Sequence, residues 1–61
     1  MNEQEVIKMM LESINEDNRA ICAQNGMSAE DIDTQIENSQ SSLMFMLSNV
    51  YEKLKDAGVI V

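Results

Sequence analysis

The segment QNGMSAEDI, residues 24–32, is the feature that most restricts how this chain can fold. Gly26 is the kind of residue that ends a helix, because glycine adopts the left-handed backbone conformation without steric cost. Two positions later, Ser28 is a favourable helix N-cap, and Asp31 stands at the third helical position, as in an acidic capping box. The segment therefore predicts the end of one helix and, after a short turn, the start of another.

The rest of the chain tolerates or favours helix, since it has no proline and its only other glycine is Gly58. Lys53 and Lys55 precede Gly58, which is typical of a helix C-terminus. Residues 38–42 (NSQSS) are poor helix formers, which makes a break in the second helix the alternative, but without proline or glycine there we favour a continuous helix. One domain over residues 1–61 is predicted, with a helix of about 3–25, a turn at 26–28, a helix of about 29–57 and an apolar tail at 58–61.

Apolar residues recur every seven positions in both segments, which is the a/d pattern of helices that pack along their length. The first series is Ile7, Ile14 and Ile21; the second helix carries two series, Ile36, Leu43, Val50 and Ala57, and Leu47, Leu54 and Val61. Gln40 falls on an a-type position, either as an imperfect core residue or as a buried polar residue that fixes the register. Because the turn is short, we predict an all-α fold, an antiparallel two-helix hairpin with Ile21 opposite Ile32.

The segment SSLMFMLS, residues 41–48, contains more apolar residues than one packed face requires. Its five consecutive apolar residues surround most of the helix, whereas a one-sided helix spaces them by three and four. A chain of 61 residues buries only a small core. With one cysteine and no histidine it has no internal disulfide or zinc site to compensate, so oligomerisation or binding to a partner protein is the remaining source of stability. We therefore expect a homodimeric four-helix bundle, with binding to a different protein as the alternative. The predicted protein interface is Val6, Met9, Met10, Met44, Phe45, Met46, Val50, Leu54, Val59, Ile60 and Val61.

Negative charge is concentrated in the turn half of the chain. The net charge is −7, and residues 12–37 hold seven acids and only Arg19, a balance of −6. These acids are either a solvated face or a docking surface for a basic protein, including mimicry of a nucleic-acid backbone. The predicted acidic surface is Glu12, Glu16, Asp17, Glu30, Asp31, Asp33 and Glu37. The same charge argues against binding to nucleic acid or to an anionic membrane.

Catalytic chemistry is not predicted. Without histidine, the ordinary Ser-His and Cys-His nucleophiles cannot form, and Cys22 is interpreted as a small packing residue. We predict no enzyme activity, no cofactor and no metal site.

The acidic N-terminus lacks the apolar core of a signal peptide, and no run of apolar residues is long enough to span a membrane, so we expect a cytoplasmic protein. The predicted function is that of a small regulator or inhibitor that acts by binding another protein. Small acidic chains of this kind are also frequent among phage and mobile-element products.

An alternative function comes from architecture alone. Lys8 and Arg19 are eleven positions apart on the first helix and share a face, with Asn15 between them. A two-helix chain that dimerises into a bundle resembles the architecture of the plasmid-encoded Rop protein, which binds paired RNA hairpins despite its acidic composition. The resemblance implies RNA binding as the alternative, although Glu12 and Glu16 interrupt the basic face and no sequence motif is shared.

Overall fold

Two antiparallel helices form the molecule in a computed structural model that describes residues 1–60. Helix α1 spans Glu3–Gln24 and helix α2 spans Ala29–Asp56, and the two pack against each other. The predicted all-α helical hairpin is therefore confirmed. It is 41 Å long and about 18 Å across, close to the length expected of the 28-residue α2 alone.

Both helices begin at a polar cap. The Ser28 hydroxyl accepts a hydrogen bond from the Asp31 backbone N–H at 3.2 Å, as the sequence predicts. Helix α1 has a cap that the sequence reading did not single out, in which Asn2 Oδ1 accepts from the Glu5 N–H at 2.9 Å. Each cap satisfies one of the backbone donors that a helix N-terminus leaves without an intrahelical partner.

Each helix ends in a Schellman motif closed by a glycine. At the turn, Gly26 has φ +86°, its N–H donates to the Ala23 carbonyl, and the Met27 N–H donates to the Cys22 carbonyl at 3.0 Å. At the end of α2, Gly58 has φ +78° and the same two hydrogen bonds recur. The two glycines of the sequence thus mark the two C-termini.

Helix α2 continues through residues 38–42 without a break. Within that stretch the Ser39 hydroxyl donates to the Ile36 carbonyl at 3.0 Å, so the side chain bonds to the helix rather than competing with it. The continuous helix carries residues 43–47 along the open half of the hairpin, the half farther from the turn.

Four apolar side chains are buried among the described residues: Ile7, Leu11, Ile32 and Tyr51. Three predicted seam positions, Ile21, Val50 and Ala57, are exposed. Ile21 is 55% exposed although Ile32 is buried, and Val50 is 46% exposed while its neighbour Tyr51 is 7% exposed.

The differences have a common physical cause. A strict seven-residue repeat drifts by about 20° per heptad on a straight α-helix, so it stays in the seam only if the helices supercoil. From Leu47, the next core position of α2 is Tyr51, four residues on. In α1 the half-buried positions near the turn are Asn18 and Cys22 instead of Ile21. Ala57 is likewise exposed, and Val61 lies outside the described residues.

Candidate interaction surfaces

The predicted interface residues that the structure describes are all at least partly accessible. Met9, Met44, Phe45, Met46, Val50 and Val59 are exposed, and Val6, Met10, Leu54 and Ile60 are half-buried. Phe45 is the most accessible of the exposed large apolar side chains in residues 41–48, at 70%. Val61 lies outside the described residues. Whether these side chains form an interface stays a prediction, but the hairpin leaves them available for one.

One side of the open half is a groove with both polar and apolar lining residues, which we call the polar groove because its charged and amide side chains distinguish it from the opposite side. It is lined by Glu3, Gln4, Lys8, Gln40, Met44 and Ser48 above Ile7 and Leu11. Gln4 and Lys8 are four residues apart and stand on the same side of α1, as Met44 and Ser48 do on α2. The only exposed large apolar side chain in the groove is that of Met44.

The opposite side of the same half carries an apolar surface, which we call the apolar face. Val6 and Met10 are four residues apart on α1, on the side of Ile7 that faces away from Lys8. Met46 and Val50 have the same relation on α2, on the other side of Leu47 from Met44. Since Lys8 and Met44 line one groove, Val6, Met10, Met46 and Val50 lie together on the other side of the hairpin.

Phe45 points away from both of these sides. Its neighbours along the helix surface, three and four residues away, are Ser41, Ser42, Ser48 and Asn49, all of them polar. The predicted interface therefore consists of separate surfaces: the apolar face, the polar groove with Met44, and Phe45 on the outer side of α2.

Helix α2 extends beyond α1 at the open end. Cross-helix pairs such as Asn15 with Gln40 set the register, so Glu3 at the start of α1 lies near residue 52. Past that level, Leu54 and Ile60 are half-buried, and the Val59 and Ile60 backbone N–H groups both bond to the Leu54 carbonyl. Val59 remains 69% exposed, so the end of α2 adds to the apolar surface of the open half.

The turn half is acidic at its surface. All seven predicted acids, Glu12, Glu16, Asp17, Glu30, Asp31, Asp33 and Glu37, are exposed. The one basic residue of this half, Arg19, forms a cross-helix ion pair with Asp33, with Nη1 2.6 Å from Oδ1. Arg19 is therefore held by the hairpin itself, and Lys8 lines the polar groove at the other end of α1. The two residues do not make a continuous basic surface.

A polar layer crosses the middle of the hairpin. Asn15 Nδ2 donates a long hydrogen bond of 3.5 Å to Gln40 Oε1. Asn15 Oδ1 is buried and has no hydrogen-bond partner among residues 1–60. Gln40 is thus a half-buried polar residue in contact with the opposite helix, and its role in fixing the register stays a prediction. Its partner was missed, because a search for apolar periodicity passes over asparagine.

The remaining predicted residue of chemical interest is Cys22. It is a half-buried free thiol, and its Sγ lies 3.9 Å from Gln35 Oε1. Within residues 1–60, no group of three or more histidine, cysteine, aspartate or glutamate side chains is arranged to hold a metal ion. Neither helix of the described chain has a stretch long and apolar enough to cross a membrane.

Comparison with known protein families, with curated proteins and with solved structures finds no match to this chain.

Proposed function

We propose that the protein is a small interaction protein that self-associates into a dimeric four-helix bundle and regulates or inhibits another protein by binding it. The observation that supports this is the imbalance between core and surface. Four apolar side chains are buried in the described chain, whereas Met9, Met44, Phe45, Met46 and Val50 of the open half are all exposed. Exposed apolar surface on this scale usually marks an interface.

The exposed area supports a second chain as the cover. A compact monomer of this mass exposes about 4,000 Å² of surface by the usual scaling with mass. The hairpin exposes 4697 Å², so the surplus is about 700 Å². Each partner of a standard-sized protein interface buries about 800 Å². Pairing two hairpins therefore removes about the area by which one hairpin exceeds a compact monomer.

The acidic turn half supports a basic protein as the regulated partner. A dimer held through its open halves leaves this region accessible, and its balance of −6 favours fast, oriented association with positive surfaces. RNA binding of the Rop type has less support, because Arg19 is paired with Asp33. A gel shift with structured RNA at low salt separates the two: RNA binding that weakens steeply with added salt would favour the alternative.

Thermal unfolding at several protein concentrations tests self-association. If the folded state is a dimer, a hundredfold increase in concentration stabilises it by about 2.7 kcal/mol. For a domain of this size the midpoint of unfolding should rise by roughly 10 °C or more. A midpoint that does not move with concentration would contradict the proposal.

The regulated partner is tested by a pull-down in which the acidic surface is altered. The double variant Asp31→Lys/Glu37→Lys changes two exposed acids without touching the open half. A protein that is captured by the native chain and lost by this variant, while the variant still self-associates, would support the docking role. Equal capture by both would contradict it.

A further inference from the structure

We propose that the second copy packs on the apolar face, in an antiparallel two-fold arrangement that keeps the two acidic turn halves at opposite ends. This inference rests on the proposed function, since it requires a dimer. It goes further by choosing one of the separate surfaces of the open half and one of two orientations. Among the exposed apolar residues of the open half, this dimer covers Met46 and Val50 and leaves Met9, Met44 and Phe45 exposed.

The choice of the apolar face over the polar groove follows from the residues that line each surface. The polar groove is walled by charged and amide side chains, among them Glu3, Lys8 and Gln40, which a second copy would have to desolvate. The apolar face presents Val6, Met10, Met46 and Val50, none of which carries a polar group. Burying these four side chains therefore removes apolar area from water and desolvates no polar side-chain atom of their own.

The contact extends along both helices on this side. Four positions after Met10, Ile14 is half-buried, and seven positions after Val50 the α2 stripe continues with the small residue Ala57. The first charged residue after Val50 on the stripe is Lys53. Taken over Val6, Met10, Met46 and Val50 alone, the centre of the face lies between residues 6 and 10 of α1 and between residues 46 and 50 of α2.

The choice of the antiparallel orientation follows from the negative charge of the turn half. Stacked helices lie about 8–10 Å apart. If the two copies ran parallel, two regions of charge −6 would face each other at about the Debye length of 8 Å in physiological salt. The antiparallel arrangement separates them by most of the length of the bundle, and the halves that overlap carry a balance of only −1 each.

The antiparallel arrangement has a definite geometry. A two-fold axis through the centre of the face places α1 on α1 of the second copy and α2 on α2. Val6 then lies near Met10 of the second copy, and Met46 lies near Val50 of the second copy. Residue 23 is 15 positions from the centre of the α1 contact, which is about 22 Å along the helix.

Double electron–electron resonance, which measures the distance between two spin labels, tests the relative orientation of the two copies. One nitroxide label is placed on Ala23→Cys in a Cys22→Ser chain, since Ala23 is exposed and the native thiol is removed. The antiparallel dimer gives one distance of about 45 Å between the two labels. A distance below about 25 Å, as expected from parallel packing, overturns the proposed orientation.

A matched pair of variants tests the face. Val50→Glu and Phe45→Glu each add one negative charge to a side chain that is exposed in the single hairpin. Sedimentation should show a dissociation constant about 100-fold or more weaker for Val50→Glu, because it places a carboxylate in the centre of the buried contact. Phe45→Glu should change it by less than about threefold. A larger loss for Phe45→Glu than for Val50→Glu overturns the choice of face, whereas a native chain that is monomeric at every concentration overturns the proposed function.

Discussion

Replacing Asn15 by leucine should stabilise the protein, although it removes a hydrogen bond between the helices. Asn15 Oδ1 is buried without a partner, and such a group costs about 1–3 kcal/mol in lost hydration. The bond that is lost, from Asn15 Nδ2 to Gln40 Oε1, is 3.5 Å long and lies at the limit of hydrogen-bond geometry. It should therefore contribute no more than about 1 kcal/mol. The expected net effect of Asn15→Leu is a gain of about 1–2 kcal/mol in the free energy of unfolding.

The control for this change is Asn38→Leu. Asn38 is exposed in α2, so the same substitution there reports the higher helix propensity of leucine, about 0.5 kcal/mol, without the buried carbonyl. Urea unfolding followed by far-ultraviolet circular dichroism measures both variants at one fixed protein concentration, because a dimer's stability depends on it. Asn15→Leu should exceed Asn38→Leu by about 0.5–1.5 kcal/mol.

A substitution of Gln40, the hydrogen-bond partner of Asn15, should have the opposite effect on stability. Gln40→Leu leaves the Asn15 amide with neither its donor nor its acceptor satisfied, so this variant should be less stable than Asn15→Leu. If Asn15→Leu proves no more stable than the control, Asn15 Oδ1 has a partner that the single hairpin does not contain. The reasoning about the polar layer would then be refuted.

Four further predictions concern the turn, the core and the surface. Ser28→Ala should cost about 1 kcal/mol in unfolding free energy, the usual value of an N-cap. In thermal unfolding of both variants, Gly26→Val should cost more unfolding free energy than Ser28→Ala. A β-branched residue resists a φ of +86° even though open space surrounds the position. Tyr51→Ala should cost about 3 kcal/mol or more in urea unfolding, since the side chain is 7% exposed. Arg19→Ala should change stability by less than about 1 kcal/mol, since its ion pair is exposed, and a larger loss measured in salt-free buffer and retained in high salt would contradict this.

The turn and the helix boundaries were accessible to sequence reasoning because they depend on local chemistry. Gly26 and Ser28 each act through their own backbone and side chain, and the structure places a Schellman motif and an N-cap there. The cap at Asn2 rests on the same chemistry, and its signal, an asparagine three residues before Glu5, was present in the sequence.

The positions in the core were less accessible, because they depend on how straight the helices are. A seven-residue and a 3.6-residue repeat select the same residues over one or two turns and diverge over four. The choice of Val50 over Tyr51 and of Ile21 over Cys22 follows from that divergence. The apolar residues of the open half were identified from sequence. Their division into an apolar face and a polar groove required the side on which Lys8 and Met44 meet, which only the packed hairpin shows.

Self-association is the central claim, and sedimentation equilibrium of the native chain tests it most directly. The chain has a mass of 6.9 kDa, and a dimer has twice that mass. Across low to high micromolar concentrations the apparent mass should rise from near the monomer value toward that of the dimer and level off there. Helix content measured in the same samples should increase with it, because a hairpin with so small a core is marginal alone. A fully helical chain that remains at 6.9 kDa up to the highest concentration would contradict the account and would make a different protein the natural cover of the apolar face.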